Sequence, residues 1–357
     1  MANDPHDTAS DTPGWDALNQ ALGALYPGQQ PKHFGTAKPW TLGGQDPLDG
    51  ISVYWSDTPQ PHWHYVSYGF SELYTKESED PQESGFGFEL TFRLAAAAGA
   101  GPDSVPPTWP MSLLQNLARY VFKSGNGFEQ GHHLDANGPI ALDTDTDTAL
   151  RHLVFMHDPQ LPAMDTPHGR VRLLQVIGLT DDEMAAVKRW SSTALLALLA
   201  PVMPLWITRL ERGSLLADPA LAAQVEAGSA REGSTTAMLF VESLHWEQGA
   251  QGCELVLGAG KVASVLELLP LRLGHGRALT LMDREHSWRF EAGQTDGVQE
   301  VDTHNVVCTL SAAGLQALLE RVRPERGVYV LPGGLLRVRV EPTQLRDAQG
   351  RVVRTVG

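Results

Sequence analysis

Residues 86–94, FGFELTFRL, constrain the fold more than any other stretch of this chain. Phe86, Phe88, Leu90, Phe92 and Leu94 alternate there with Gly87, Glu89, Thr91 and Arg93. Successive side chains of a β-strand point to opposite faces, so this alternation puts every large apolar group on one face of a sheet. A helix would scatter the same groups around its circumference. Upstream, His62, His64, Val66 and Tyr68 share one face of a second strand, with Trp63, Tyr65 and Ser67 on the other. The charged, turn-rich residues 72–84 join the two strands, and a sheet built on this pair organises the first half of the chain.

Elsewhere the pattern mixes helices and strands. Residues 1–13 are polar and acidic and read as a disordered tail. Leu18, Leu22, Leu25 and Tyr26 recur at helical spacing from Trp15 until Pro27-Gly28 stops them, and a short strand follows at 51–55. Thr108 is placed to cap a helix with Pro110 in its first turn and Leu113, Leu117, Tyr120 and Val121 as its buried stripe. Strands are expected near His132 and at 151–156 and 170–178. Thr180-Asp181-Asp182-Glu183 reads as a capping box, Leu195, Leu196, Leu198 and Leu199 continue a helix after Ser192, and Asp218-Pro219 opens another.

The small, polar run AGSAREGSTT at 227–236 is the best candidate boundary, dividing a domain at 14–229 from one at 230–357. Beyond it, strands are expected at 237–247, 253–258, 278–283, 286–292, 303–309 and 335–341. One helix interrupts them, capped by Ser311, with Leu315, Leu318, Leu319 and Val322 on its core face. In the last strand Arg337 and Arg339 alternate with Leu336, Val338 and Val340, which leaves one face wet. Both domains therefore read as α+β, each a mixed or antiparallel sheet with flanking helices.

Bulk properties narrow the function classes. A chain of 357 residues can build a core in each of two domains. A formal charge of -15 argues against wrapping a nucleic-acid backbone, which needs clustered Lys and Arg. The first residues lack the basic and apolar regions of a signal peptide, and no apolar run is long enough to span a membrane. The expectation is a cytoplasmic protein with neither nucleic acid nor membrane as partner. Cys253 and Cys308 lie in hydrophobic runs; a disulfide stays open, and buried free thiols are the expected state.

Motifs for chemistry fail one by one. His62 and His64 face the same way and His132-His133 is a second pair, but no third ligand stands at a recognisable spacing, so neither a metal nor another cofactor is expected. Asp143, Asp145 and Asp147 begin like a calcium loop, yet Thr148 and Val154 stand where that loop needs glycine and glutamate. Gly258-Ala259-Gly260-Lys261 echoes a phosphate loop, but Leu255 and Val262 break its pattern, and a tight turn explains the glycines. No G-x-S-x-G elbow supports a nucleophilic serine. Glu72, Glu89 and Asp158 are the remaining acids of interest, each expected to be solvated or bonded at a strand end.

The longer stretches carry more information. LYPGQQP at 25–31, LGGQDPLDGISVYW at 42–55, PHWHYVSYGFSELY at 61–74 and SGFGFELTFRL at 84–94 resemble the Suppressor of fused family and its bacterial members. The resemblance continues through PPTWPMSLLQNLARYVFKSGNGF at 106–128, HDPQL at 157–161, TPHGRVRLLQVIGLT at 166–180 and WITRLERG at 206–213. The second half contributes mainly LPLRLGHGRALT at 269–280.

This resemblance implies a two-domain, non-enzymatic binder. Animal members clamp a short peptide of a zinc-finger transcription factor between the domains, where it adds as a β-strand; backbone bonds then give affinity and side-chain pockets specificity. By position, the first-domain edge falls around Gly131, His132, His133 and Leu134, up to Asp135, and the second around Thr236 to Val241, including Ala237 and Leu239. Tyr120 matches a groove tyrosine of the animal proteins, and core packing on its helix is a reading of equal weight.

Two positions depart from the animal pattern. His132 stands where those proteins carry an aspartate that pairs with a histidine of the peptide, and His157 replaces another acid. Histidine there removes attraction for a cationic ligand. The implied role is capture of a protein or peptide partner. Two alternatives stay open: an immunity protein that neutralises a toxin, and a hydrolase using the histidine-rich first domain.

Overall fold

The computed structural model describes residues 11–38, 40–142, 144, 146–249, 252–346 and 351–357. Most of the expected tail, together with Asp143 and Asp145, lies outside the described residues. The chain divides into two compact units: residues up to 184 with 192–221, and residues 185–191 with 222–357. The run at 227–236, read from its composition as a boundary, is instead largely helical and packed. Its helix continues to Glu232, and Ser234 is buried, its hydroxyl donating to the Lys188 carbonyl at 2.5 Å.

In the first unit, helix α1 (Pro13–Leu25) precedes strands β1 (Lys32–Gly35), β2 (Gly50–Ser56), β3 (His62–Tyr68) and β4 (Glu83–Ala95). Helix α2 (Trp109–Ser124) is followed by β5 (His133–Asp135), β6 (His152–His157), β7 (Met164–Thr166) and β8 (Gly169–Leu179). Then come α3 (Asp181–Arg189), which runs across the division, and α4 (Ser192–Leu199). One sheet has the order β1-β2-β3-β4-β8-β6-β5, with β7 hairpinned onto β8. Every pairing in it is antiparallel except β4 with β8.

Alternation along the strands feeds two apolar clusters. Val53, Tyr65, Phe88, Leu90, Phe92, Phe155 and Val176 pack with Leu113, Leu114, Leu117 and Val121 of α2. Tyr54, Val66, Tyr68 and Leu173 pack with Leu18 and Leu22 of α1 and with Tyr26 just after it. Burying each of those two leucines stabilises the unit by about 1.5–3 kcal/mol.

Local signals set the helix ends with mixed success. Gly125 closes α2 in the left-handed region, at φ 74, as a C-terminal glycine should. Thr108, by contrast, makes no capping bond with its side chain, so Pro110 and the tertiary contacts start that helix. At α3 half of the capping box forms: Glu183 accepts from the Thr180 N–H at 3.1 Å, while the Thr180 hydroxyl donates to Asp182.

The second unit carries α5 (Pro219–Glu232), started by Asp218 accepting from the Ala220 N–H at 2.8 Å, which bridges the division. Next are β9 (Met238–Phe240), β10 (His245–Gly249), β11 (Gly252–Gly258), α6 (Ala259–Leu273), β12 (Leu279–Met282) and β13 (Ser287–Ala292). After β14 (Gly297–Glu300) and β15 (Asn305–Leu310), Ser311 caps α7 (Ala312–Arg321) by accepting from the Gly314 N–H at 3.0 Å. Strands β16 (Gly327–Val330), β17 (Leu336–Glu341), β18 (Thr343–Arg346) and β19 (Val352–Val356) complete the chain.

Two sheets, β10-β11-β17-β16 and β14-β15-β13-β12-β9, share one core with α6; β18 and β19 form a separate ribbon. The expected strand at 237–247 is two strands in different sheets, and α6 occupies the place read as a tight turn. Cys253 and Cys308 are free and buried, and burial pushes the Cys253 thiol up to about 11. Arg339 meets Glu254 at 2.8 Å on the wet face of β17.

Candidate functional site

Each unit ends a sheet with a short strand at one of the expected edges. In the first, β5 is terminal and pairs with β6, with Leu134 opposite Leu153 and Asp135 opposite His152. Gly131 and His132 lie just before it. The Gly131 N–H and the His132 carbonyl both bond to Phe155, at 2.7 and 2.9 Å, and the Ser192 hydroxyl donates to the Gly131 carbonyl at 2.7 Å. Gly131 sits at φ 88, a conformation glycine adopts without strain. His132 and His157 are exposed, and His133 and Leu134 are half-buried.

Tyr120 does not belong to the buried stripe of its helix. It is 49% exposed and stacks on Phe128 at 5.7 Å, and Phe128 stacks on Phe155 at 4.0 Å. This aromatic ladder links a surface tyrosine to the strand that holds β5. Core packing, the alternative reading, is thereby corrected: Tyr120 stacks on Phe128 yet stays exposed.

In the second unit, β9 ends the five-stranded sheet and runs parallel to β12. The Ala237 carbonyl accepts from the Thr280 N–H at 2.9 Å, and the Val241 N–H donates to the Met282 carbonyl at 2.8 Å. Backbone groups alternate along a strand, so the N–H groups of Met238 and Phe240 point away from β12. Leu239 packs on the core, whereas Met238 and Phe240 are 50% and 66% exposed. Ala237 is exposed.

The residues that first suggested chemistry lie elsewhere and are locked inside. The face of β4 opposite its phenylalanines carries Glu89, Thr91 and Arg93, all at 0% exposure. Asp158 accepts from both terminal nitrogens of Arg93, at 2.6 and 3.0 Å, and from the Thr91 hydroxyl at 2.7 Å. His64 faces the same carboxylate with Nε2 at 3.3 Å, while its Nδ1 meets the Tyr26 hydroxyl at 2.8 Å. Burial and then the charge of Arg93 lower His64 to about 4, so the ring is neutral. Burial alone would raise the Asp158 carboxyl, yet the bond from the His64 ring and the bonds and charge of Arg93 hold it well below the usual range.

His62 is also buried, its Nδ1 bonded to the Gln60 carbonyl at 2.7 Å. Glu89 accepts from the Ser67 hydroxyl, from the N–H groups of Gly69 and Ser71, and from the Ser71 hydroxyl, all at 2.5–2.9 Å. Burial raises it to about 7 despite these donors. Of the two states expected for these acids, solvation fails for Glu89 and Asp158, whereas hydrogen bonding holds: Asp158 is bonded just past the end of β6, and Glu89 is bonded within β4. Glu72 fits a bonded acid better: it accepts from the N–H groups of Glu77 and Ser78 at 2.5 Å and organises the loop before β4.

The comparisons with known proteins converge on one family. Residues 44–213 match the family model described as Suppressor of fused protein. Over 241 residues the chain is 37% identical to the Suppressor of fused homologs of Homo sapiens and Mus musculus. The chain belongs to the Suppressor of fused family. The matched stretch is 62% of this chain and 48% of each mammalian Suppressor of fused homolog, so the chain spans about half the length of these curated relatives.

The crystal structure of Drosophila Suppressor of Fused superposes with a TM-score of 0.79 at 26% identity, over 95% of this chain and 99% of that one. A chain of the Sufu–Fu complex matches with a TM-score of 0.56 at 34% identity, over 60% of this chain and 98% of that one. The α+β architecture and the family resemblance both hold. Most of the stretches that carried the resemblance encode the first unit's sheet and its α2 cover, and LPLRLGHGRALT spans the end of α6 and the start of β12 in the second unit.

Proposed function

We propose that this protein is a non-enzymatic binder that captures an extended segment of a protein partner by β-strand addition in its interdomain cleft. The observation that carries this reading is the outer edge of β9. Its free backbone direction is flanked by exposed Met238 and Phe240 at the position expected from the family resemblance. Strand addition needs unpaired backbone groups for affinity and neighbouring side chains for selection, and among the described residues β9 offers both. The terminal position of β5 and the surface ring of Tyr120 supply the matching features of the first unit. The similarity to a chain of the Sufu–Fu complex supports a protein or peptide partner.

A displayed library of extended peptides, selected on the full chain, tests this. Phe240→Pro removes an outward N–H without touching the ladder to β12 and should weaken selected peptides at least about tenfold, the loss of one or two backbone bonds. Tyr120→Ala should weaken them as well. If both variants bind every selected peptide as tightly as the parent chain, the edge reading is wrong.

A further inference from the structure

The four-stranded sheet of the second unit ends on β16. Gly327, Val328, Tyr329 and Val330 lie opposite Val340, Arg339, Val338 and Arg337 of β17. The Leu331 N–H donates to the Leu336 carbonyl at 3.0 Å and closes the ladder at that end. Backbone groups alternate in direction along an antiparallel pair, so Tyr329 also turns its N–H to β17, and Val328 and Val330 turn theirs away. The two valines are 54% and 43% exposed, whereas Tyr329 is half-buried and packs on the core.

This edge is basic in an acidic protein. Residues 321–341 carry five arginines against two glutamates, although the whole chain has a formal charge of -15. Directly opposite residues share a face, so Arg337 and Arg339 stand beside the exposed valines. Arg339 engages Glu247, Glu254 and Glu341 at 2.8–3.5 Å and takes up the acids of that face. Glu254 sits opposite Arg337 in register, but its carboxylate is turned to Arg339. Arg326 and Arg337 are exposed and meet no carboxylate among the described residues. Arg321 donates to the Val330 carbonyl at 2.8 Å, which fixes a guanidinium at the rim of the edge.

We propose that β16 is a second strand-addition edge, separate from β9, whose partner is an extended acidic segment of another protein. The partner's backbone bonds to the outward groups of Val328 and Val330. Its residues on the valine face are acidic and reach past the valines to Arg337 and Arg326; those beside Tyr329 are apolar. Complementary charge selects such a partner and speeds its arrival. Two copies of β16 would instead bring their arginines together, and charges on an edge strand oppose that pairing.

Fluorescence anisotropy of the full chain with a labelled peptide of alternating glutamate and valine, at low ionic strength, tests this. The peptide should bind. Its lysine–valine counterpart, and a version methylated on its backbone nitrogens, should bind at least about tenfold more weakly. Val328→Pro removes one outward N–H without touching the ladder to β17 and should weaken the acidic peptide by about three- to tenfold. Arg326→Glu combined with Arg337→Glu should weaken it at least about tenfold, and Phe240→Pro should leave it unchanged. Amide exchange in the unsubstituted chain gives a readout that does not depend on variant folding. Peptide should slow exchange at Val328 and Val330 and leave Met238 and Phe240 as they were. No binding, protection at β9 instead, or equal binding of the methylated peptide overturns the proposal. So does a dimer of the parent chain that Val328→Pro dissolves, which would make a second copy the occupant.

Discussion

Strands β4 and β9 reverse the usual allocation of residue types. In β4, glutamate, threonine and arginine are taken to zero exposure, whereas β9 leaves a methionine and a phenylalanine half exposed or more. Buried charges survive only when paired and bonded, and Arg93 with Asp158 meets that condition. Exposed large apolar groups on a strand edge have no such internal account, and they mark a surface that a partner can cover. The contrast separates the two kinds of candidate this chain offers. Its histidines and acids near β4 are committed to holding the first unit together, and its apolar edge at β9 stands at the surface.

The largest expected effect breaks the interior side of this contrast. Asp158→Ala leaves the Arg93 guanidinium buried without its carboxylate, which should cost about 3–5 kcal/mol of unfolding free energy in urea. A cost below about 1 kcal/mol would mean that Arg93 finds water, and that the cluster is open enough for other roles.

How much of this was legible follows from how far apart the partners stand. The alternation of β3 and β4 is local, and so are the caps at Ser311 and Asp218; all of them form. The burial of the polar face was hidden because Arg93 finds its carboxylate 65 residues downstream, and no pattern within a strand encodes that. Tyr120 fits a helical stripe by spacing, but it is exposed and its ring stacks on Phe128, which lies beyond the helix. Helix α6 was hidden by Gly258 and Gly260 at its start and Pro270 near its end, although Val262, Val265, Leu268 and Leu269 bury one face. The candidate edges came from family resemblance, since three-residue strands carry almost no periodicity of their own.

An intermediate effect concerns Glu89. Glu89→Leu orphans the N–H groups of Gly69 and Ser71, at about 1–3 kcal/mol each. Glu89→Gln keeps an acceptor for both and should fall within about 1 kcal/mol of the parent near neutral pH. The two residues on this face also have opposite pH signatures. Glu89 is raised from 4.5 to about 7, so the folded state holds its proton longer; that stabilisation is complete below pH 4.5 and is lost as pH rises through 7. His64 is lowered from 6.5 to about 4, so the unfolded chain binds the proton more readily, and stability falls as pH drops from 6.5 toward 4. Thermal midpoints measured across this range should lose their alkaline decline in Glu89→Gln and keep their acid decline. An unchanged alkaline limb would assign that decline to another group.

The smallest expected effect on stability is at the edge, and its smallness is informative. Phe240→Ser removes an apolar ring that is already 66% exposed and leaves the ladder to β12 intact, so it should shift unfolding by no more than about 0.5 kcal/mol. That outcome would leave the contribution of this phenylalanine to the proposed binding. A loss of 2 kcal/mol or more on denaturation would be comparable to that of a buried core side chain. Phe240 would then be packing within its own chain, and the contrast between β4 and β9 would disappear.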